Sequence, residues 1–211
     1  MIKYLLALSG LLCVSAAYSQ SQTLRIGNSI AEIGVVYCDY SASGTNNCTL
    51  SGTSGTLSGL GCQLSYNYTV LSHISINADA AVATYTGGTG IDAGVGAEYH
   101  FHISHKADPV DLYLSANGGY TRLSYAGGLV DVSGTFVAPG IYYQFGGGIR
   151  KYIAHSVGLF LNVNYAIHNY IGGQVKEAED LKIPYTIDVS GFNFGGGICW
   201  KFGKSHHALV D

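Results

Sequence analysis

Apolar and polar residues alternate along most of the chain beyond its first two dozen residues. Residues 59–70 show this most clearly, with Leu, Cys, Leu, Tyr, Tyr and Val at the even positions and Gly, Gly, Gln, Ser, Asn and Thr at the odd ones. A period of two is typical of a β-strand whose two faces meet different surroundings. The same alternation recurs in residues 91–104, 110–117, 137–146 and 157–168.

Three other segments alternate less regularly, namely residues 24–40, 73–86 and 187–202. In the last of them the alternation changes phase near Ser190, which predicts a bulge or the end of a loop at that point. The sequence therefore predicts eight strands that follow one another along the chain.

Alternation alone fits both a soluble barrel with an apolar lumen and a membrane barrel with an apolar exterior. The composition separates them, because only 11% of the 211 residues are charged, whereas a soluble domain has about 25%. The polar strand face carries mostly Gly, Ser, Asn and Gln, which suits a crowded, hydrogen-bonded lumen. The apolar face carries aliphatic residues in its middle and aromatic residues toward its ends, as lipid-facing strands do. We predict an all-β fold, an eight-stranded antiparallel up-and-down transmembrane β-barrel.

The connections between the strands predict the orientation of this barrel. If the first strand rises from the periplasm, the outer connections lie near residues 41–56, 87–90, 126–135 and 172–186, and the inner ones near residues 71–73, 105–109 and 151–155. Three of the four outer connections are longer than every inner one, an asymmetry that bacterial outer-membrane barrels share. Both ends of the barrel domain then lie on the periplasmic side.

The two ends of the chain are predicted to lie outside the barrel. Residues 1–19 have the form of a secretory signal peptide, in which Lys3 precedes an apolar core and a small-x-small cleavage site. No apolar run of about 18 residues follows, so the sequence predicts no membrane-spanning helix. We predict a barrel over residues 20–202 and a short periplasmic tail over residues 203–211.

Glycine and aromatic residues recur together near the predicted strand ends, in residues 94–101 (GVGAEYHF), 143–152 (YQFGGGIRKY) and 194–202 (FGGGICWKF). In these motifs the chain resembles small opacity-type, OmpA/OmpX-like outer-membrane proteins. The resemblance covers essentially the whole mature chain, and it implies a location in the outer membrane of a Gram-negative bacterium.

The resemblance also implies a partner for the last strand. Gly197, Trp200 and Phe202 are similar to the final-strand signal by which the barrel-assembly machinery recognises this family. The sequence departs from the family pattern here, because Phe202 is followed by residues 203–211 instead of ending the chain.

The lumen of an eight-stranded barrel is just wide enough for side chains to fill it, so we do not expect a general porin. The strand parity directs one polar cluster into this lumen, and its members are Glu32, Asp79, Glu98, His100, His102 and Lys201, with Asp92 as a further lumen charge. We expect structural roles for them, because buried charges persist when they are paired and hydrogen-bonded. Glu98, His100 and His102 offer three metal ligands, but a structural zinc site usually needs four, so we predict no metal and no cofactor.

Two His-x-Ser pairs, His73 with Ser75 and His102 with Ser104, loosely resemble the pair found in lipid A deacylases. Acyl chains approach from the lipid side, whereas His102 and Ser104 share the lumen parity of Glu98. The other pair straddles a predicted inner turn. Because no apolar face carries a nucleophile, a base and an orienting acid together, we predict that the protein is not an enzyme. Lipid A modification is the less favoured alternative.

The predicted outer loops are the remaining place for activity. Residues 41–56 are rich in Ser, Gly, Thr and Asn, and residues 172–186 contain the charged run KEAED. Recognition residues concentrate on such loops, although loops that merely close hairpins have a similar composition. We predict a structural surface protein, a surface antigen, whose loops also fit adhesion to a host or matrix surface. A narrow small-solute pore is the alternative.

Lipid is the other predicted partner. Tyr120 and Arg122 have lipid-facing parity near the outer end of the fifth strand, where they would anchor the barrel at the interface and reach phosphates of lipopolysaccharide. Snorkelling of Arg122 alone is the alternative reading. The formal net charge of −3 offers no basic patch, so we predict no nucleic-acid partner.

Four cysteines follow the signal peptide. Cys38 and Cys48 are our candidate disulfide, because they lie close together in the sequence and in an oxidising compartment. Cys62 on the neighbouring strand competes for either partner, and Cys199 is expected to be unpaired. Four cysteines allow three complete pairings, and the spacing does not decide among them.

Overall fold

The structure is a computed structural model, and it describes residues 26–44, 55–105, 108–126, 135–154, 156–175 and 178–203. They form eight strands: β1 (Ser29–Gly44), β2 (Thr56–Leu71), β3 (Ile74–Tyr85), β4 (Gly88–His105), β5 (Asp108–Ala126), β6 (Thr135–Tyr152), β7 (Val157–Val175) and β8 (Ala178–Phe202). Consecutive strands pair antiparallel, and β1 also pairs with β8, which closes the barrel. The predicted eight-stranded antiparallel barrel is confirmed.

The alternating residues of the sequence lie on the two faces of the barrel wall. In β2, Leu60 is 65% exposed on the outside, whereas Asn67 and Thr69 lie buried inside. The same contrast continues around the barrel, because apolar side chains point out from every strand and most polar ones point in. A belt of apolar side chains around a closed sheet is the surface that lipid covers in membrane barrels. Among the described residues, no helix is long and apolar enough to cross a membrane.

The pairing of β1 with β8 defines the two ends of the barrel. Ser29 of β1 pairs with Phe202 of β8 at one end, which we call the lower end. The hairpin turns after β2 and β4 also lie there. At the other end, the upper end, Gly44 of β1 pairs with Ile187 of β8. The longest connections, residues 45–55 and 127–134, are at the upper end.

The upper ends of β7 and β8 differ from the sequence prediction. We expected an outer loop over residues 172–186, but β7 continues to Val175 and β8 begins at Ala178. The segment is therefore a long hairpin that extends above the pairing of β1 with β8. The sequence of this hairpin lacks the alternation that marks the other strands, so it predicted a loop there.

The predicted bulge near Ser190 is also wrong. Pairing between β7 and β8 is regular there, and its irregularities lie higher, between Ile171 and Gly173 and between Gln174 and Val175. The phase change in the sequence has another cause. Ile187 and Val189 point inward with less than 3% exposure, because the upper lumen is apolar.

Several predicted segments fall outside the described residues. They are the signal peptide over residues 1–19, residues 204–211 of the tail, and most of the loop over residues 41–56. These predictions stay predictions.

Candidate functional site in the barrel lumen

A single arginine organises the lower half of the lumen. Arg150 of β6 is fully buried, and its guanidinium contacts carboxylates from three other strands. Its Nε donates to Glu32 Oε1 at 2.5 Å, its Nη1 donates to Asp111 Oδ2 at 3.1 Å, and its Nη2 donates to the two Glu98 oxygens at 3.0 and 2.8 Å. Such charge-assisted bonds are the strong ones. We call Arg150, Glu32, Glu98 and Asp111 the arginine cluster.

Neutral side chains complete the arginine cluster. The Tyr113 ring lies under the guanidinium, 3.8 Å from its centre, in a cation–π contact. Gly148 leaves room for this ring, since a Cβ there would come within 2.5 Å of the Tyr113 hydroxyl. Ser65 Oγ donates to Glu32 at 2.7 Å. Every charged group of the arginine cluster therefore has a partner, as buried ions require.

Asp111 also belongs to a second chain of hydrogen bonds. Ser75 Oγ lies 2.8 Å from His100 Nε2, and His100 Nδ1 lies 3.1 Å from Asp111 Oδ1. This order of groups is that of a Ser-His-Asp triad. All three side chains are completely buried, and none of them lines the cavity of the lumen. Because no substrate atom can reach Ser75, we interpret the chain as a way to satisfy buried polar groups.

Two aspartates occupy a higher level of the lumen. Asp79 Oδ2 accepts a 2.6 Å hydrogen bond from the Tyr142 hydroxyl. Asp92 accepts a 2.5 Å bond from Thr121 and lies 3.2 Å from His168 Nε2. Unlike the carboxylates below them, these two have no arginine partner among the described residues.

Buried apolar residues form a layer toward each end of the lumen. The upper layer buries Val36, Cys38, Tyr40, Leu57, Ala83, Tyr85, Leu123, Tyr125, Ala138, Ala166, Tyr170, Ile187 and Val189. The lower layer buries Ile30, Tyr152, Phe160 and Cys199. Between the layers lie the arginine cluster, a belt of asparagine and glutamine side chains, and a cavity of about 60 Å³.

The residues of the predicted lumen cluster are placed as follows. Glu32, Glu98 and His100 are buried in the lower lumen, and Asp79 faces the cavity. Lys201 lies at the lower mouth, with Nζ 4.8 Å from the centre of the Tyr152 ring. His102 belongs to β4, but its side chain is outside the described set.

Arg150 and Asp111 were missing from the sequence prediction. Both lie on the inward parity of their strands, and the inward series that begins at Ala138 reaches Arg150 when it is continued through the glycines. Among the described residues, no group of three or more His, Cys, Asp and Glu side chains could hold a metal ion. Glu98 and His100 are instead occupied by hydrogen bonds within the lumen.

The cysteines lie on different faces of the wall. Cys38 is buried in the upper apolar layer and Cys62 is exposed on the outside, and neither thiol has a disulfide partner among the described residues. Because their side chains point to opposite faces, Cys62 does not compete for Cys38. Cys199 is free and buried near the lower end. Cys48 lies outside the described residues, so its pairing with Cys38 stays a prediction.

The remaining predicted residues, except Gly197 with its inward parity, lie on the outer wall. Phe202 is the last residue of β8 and is exposed, and Trp200 shares its outward parity. Gly197 pairs with Gly34 of β1, and a Cβ there would collide with the β1 backbone. Tyr120 and Arg122 both point outward in the upper half of β5.

Comparison with known proteins concerns the whole barrel. No protein-family model and no curated protein matches the chain. The crystal structure of the outer membrane protein OprG from Pseudomonas aeruginosa is similar, with 16% identity and a TM-score of 0.56 over 88% of this chain and 100% of that one. Neisserial surface protein A (NspA) is similar with 15% identity and a TM-score of 0.51, over 83% of this chain and 99% of that one.

The fold is that of small outer-membrane barrels. At these identities the likeness concerns the fold alone, but it agrees with the exposed apolar belt and with the closed eight-stranded sheet. The longest connections lie at the upper end, the arrangement that outer-membrane barrels show on their extracellular side.

Proposed function

We propose that the protein is a non-conducting surface protein of the Gram-negative outer membrane, which acts through its upper, extracellular end. The observation that carries this proposal is the filled lumen. A solute would have to pass the upper apolar layer, the arginine cluster and the lower apolar layer. Opening such a path would separate Arg150 from its buried carboxylates, which costs several kcal/mol.

The upper end carries the segments that we propose for recognition. The connections over residues 45–55 and 127–134 are the longest in the barrel, and the β7–β8 hairpin extends beyond the pairing of β1 with β8. Functional residues concentrate on loops that a rigid scaffold holds. We propose contact with a host-cell or extracellular-matrix surface through these segments, as a surface antigen with adhesive loops.

A binding assay with loop deletions tests the adhesive role. Cells that carry the protein are compared with cells that carry deletions within residues 45–55 or within the β7–β8 hairpin, on cultured cells and immobilised matrix proteins. We expect at least one deletion to reduce binding while the heat-modifiable barrel persists. A deletion within residues 127–134, the other long connection at the upper end, serves as a comparison. Unchanged binding in all three deletions would contradict the adhesive role.

Planar-bilayer recording tests the closed lumen separately. We expect the full barrel to give no stable conductance level. A reproducible open level would contradict the non-conducting part of the proposal and would favour a narrow pore.

The outer wall supports lipopolysaccharide as a lipid partner. Arg122 is exposed near the upper end of β5, and its pairing neighbours Ile91 and Pro139 are apolar. The guanidinium can therefore reach phosphates at the lipid surface, where charge-assisted bonds to phosphate oxygens form readily. Tyr120 lies one pleat below it, in the position of an interface anchor.

Thermal unfolding in two lipid mixtures tests this contact. We expect Arg122→Gln to unfold at a lower temperature than the wild type in vesicles with lipopolysaccharide, and at the same temperature in phospholipid alone. Lys151→Gln, an exposed site near the lower end, is the matched control. Equal effects of Arg122→Gln in both lipids would indicate snorkelling only.

A further inference from the structure

The cavity at mid-height in the lumen has an unusual polar lining. Its walls include Asn77 and Asp79 from β3, Asp92 from β4 and Asn162 from β7. Its volume of about 60 Å³ exceeds the roughly 10–15 Å³ that one water molecule needs on the same kind of measure. A small ion with some of its hydration shell therefore fits.

Three oxygen atoms of this lining are buried without a hydrogen-bond partner among the described residues. They are Asn77 Oδ1, Asp79 Oδ1 and Asn162 Oδ1. Asn77 is only 6% exposed, and its amide nitrogen already donates to Asn117 at 3.0 Å. All three unpartnered atoms of the cavity wall are acceptors, so what they lack is a donor or a cation. Flipping an asparagine amide would exchange its oxygen and nitrogen, but Asp79 presents an oxygen acceptor in either case.

The charge of the lumen favours a cation over a neutral donor. Among the side chains that the structure describes, the lumen carboxylates are Glu32, Asp79, Asp92, Glu98 and Asp111, and the cations that face them are Arg150 and, at the lower mouth, Lys201. Within this set the carboxylates outnumber the positive groups even with His100 and His168 both protonated. A buried charge without compensation is costly, and Asp79 is the carboxylate with the weakest partner, since only the neutral Tyr142 donates to it.

Local packing keeps Asp79 in this position. Its Oδ2 is held by the Tyr142 hydroxyl, which occupies the space over Gly94, where a Cβ would collide with that hydroxyl. Oδ1 therefore remains free for a second interaction. Asp92, which already bonds Thr121 and faces His168, contributes its negative charge to the same cavity.

We propose that this cavity binds a hard metal cation, calcium, through Asp79 Oδ1 and the amide oxygens of Asn77 and Asn162, with water completing the shell. Carboxylate and amide oxygens are the ligands that Ca²⁺ takes, in flexible geometry, whereas Mg²⁺ demands a near-ideal octahedron and dehydrates reluctantly. The described residues contain no metal-binding group of three or more His, Cys, Asp and Glu side chains. The proposed site is of another kind, because two of its three protein ligands are amide oxygens. The bound ion would neutralise the central lumen and join β3 to β7.

The metal content of the purified barrel measures calcium binding directly. The full chain is folded into detergent micelles with calcium, passed through a chelating column, and analysed by mass spectrometry for retained metal. We expect one calcium ion per barrel in the wild type and in Asp39→Asn, whose carboxylate is exposed on the outer wall. We expect none in Asp79→Asn, which keeps an acceptor for Tyr142 and removes the charge.

Thermal unfolding gives the second readout, because an ion that binds only the folded barrel raises its unfolding temperature. Folding with calcium should raise the midpoint of the wild type and of Asp39→Asn, but not that of Asp79→Asn. If Asp79→Asn does not fold, Asn162→Ser replaces it and should retain less calcium. A wild type that retains no calcium overturns the proposal, and so does a lumen variant that retains as much as the wild type.

Discussion

Replacing Arg150 with methionine is the most direct test of what holds the lumen together. Methionine keeps much of the length of the side chain but removes the guanidinium that donates to Glu32, Glu98 and Asp111. Three carboxylates with 5% exposure or less would then share the lower lumen without their cation. Removing one partner of a buried ion pair costs about 3–5 kcal/mol. We expect the free energy of unfolding to fall by at least this amount.

The assay is urea unfolding of the barrel in phospholipid vesicles. Trp200 is the single tryptophan of the chain and lies on the outer wall, so its fluorescence reports loss of contact with lipid. A change of 3–5 kcal/mol corresponds to a shift in the folding equilibrium of roughly a hundred- to several-thousand-fold. Lys151→Met is the matched control, because Lys151 is the next residue and is exposed on the other face. We expect it to cost less than about 1 kcal/mol.

A double variant separates loss of charge balance from loss of packing. Glu98→Gln removes one of the carboxylates that Arg150→Met leaves unpaired, so the double variant should be more stable than the sum of the two single changes predicts. Coupling between residues in one network is typically about 0.5–3 kcal/mol. Additive effects, or a loss below about 1 kcal/mol for Arg150→Met alone, would refute the view that the arginine cluster is the main polar link across the lumen.

Three other predictions follow from the two faces of the wall. In single-cysteine variants, a membrane-permeable maleimide should label Cys62 in the folded barrel, and Cys38 only after unfolding; equal labelling would contradict the buried position of Cys38. Ser75→Ala should lower the free energy of unfolding by about 1–3 kcal/mol through the unsatisfied His100 and leave the acylation of lipid A in expressing cells unchanged; altered lipid A would reinstate an enzymatic role. Phe202→Ala should reduce the folded barrel recovered from outer membranes, with folding into detergent unaffected, and equal losses in both would argue against an assembly signal.

The alternation along the chain was sufficient to predict the barrel, because lipid and lumen impose opposite polarity on successive residues. It also placed Glu32 and Glu98 inside. We did not follow it to Arg150, because Gly146, Gly147 and Gly148 precede that residue and have no side chain that marks a face. The regular pairing of β6 with β5 shows that the alternation continues through these glycines.

The upper end of the barrel was harder to predict for a different reason. Ile187 and Val189 are apolar and yet point inward, so polarity no longer distinguishes lumen from lipid there. Above them, in the β7–β8 hairpin, the period of two disappears although the strands continue. The cavity and its unpartnered oxygens arise from side chains on strands far apart in the sequence, which no local pattern records.

The position of Glu32 has a consequence for the order in which the barrel can form. Glu32 lies on β1, and its bond to Arg150 of β6 joins residues 118 positions apart. A curved sheet that still lacks β1 already brings Glu98 and Asp111 to Arg150, because β4, β5 and β6 are neighbours. Glu32 can reach the guanidinium only when β1 meets β8. The ion pair between Glu32 and Arg150 therefore forms only when the barrel closes. In an open sheet the Glu32 carboxylate remains hydrated, and closure buries it against the guanidinium.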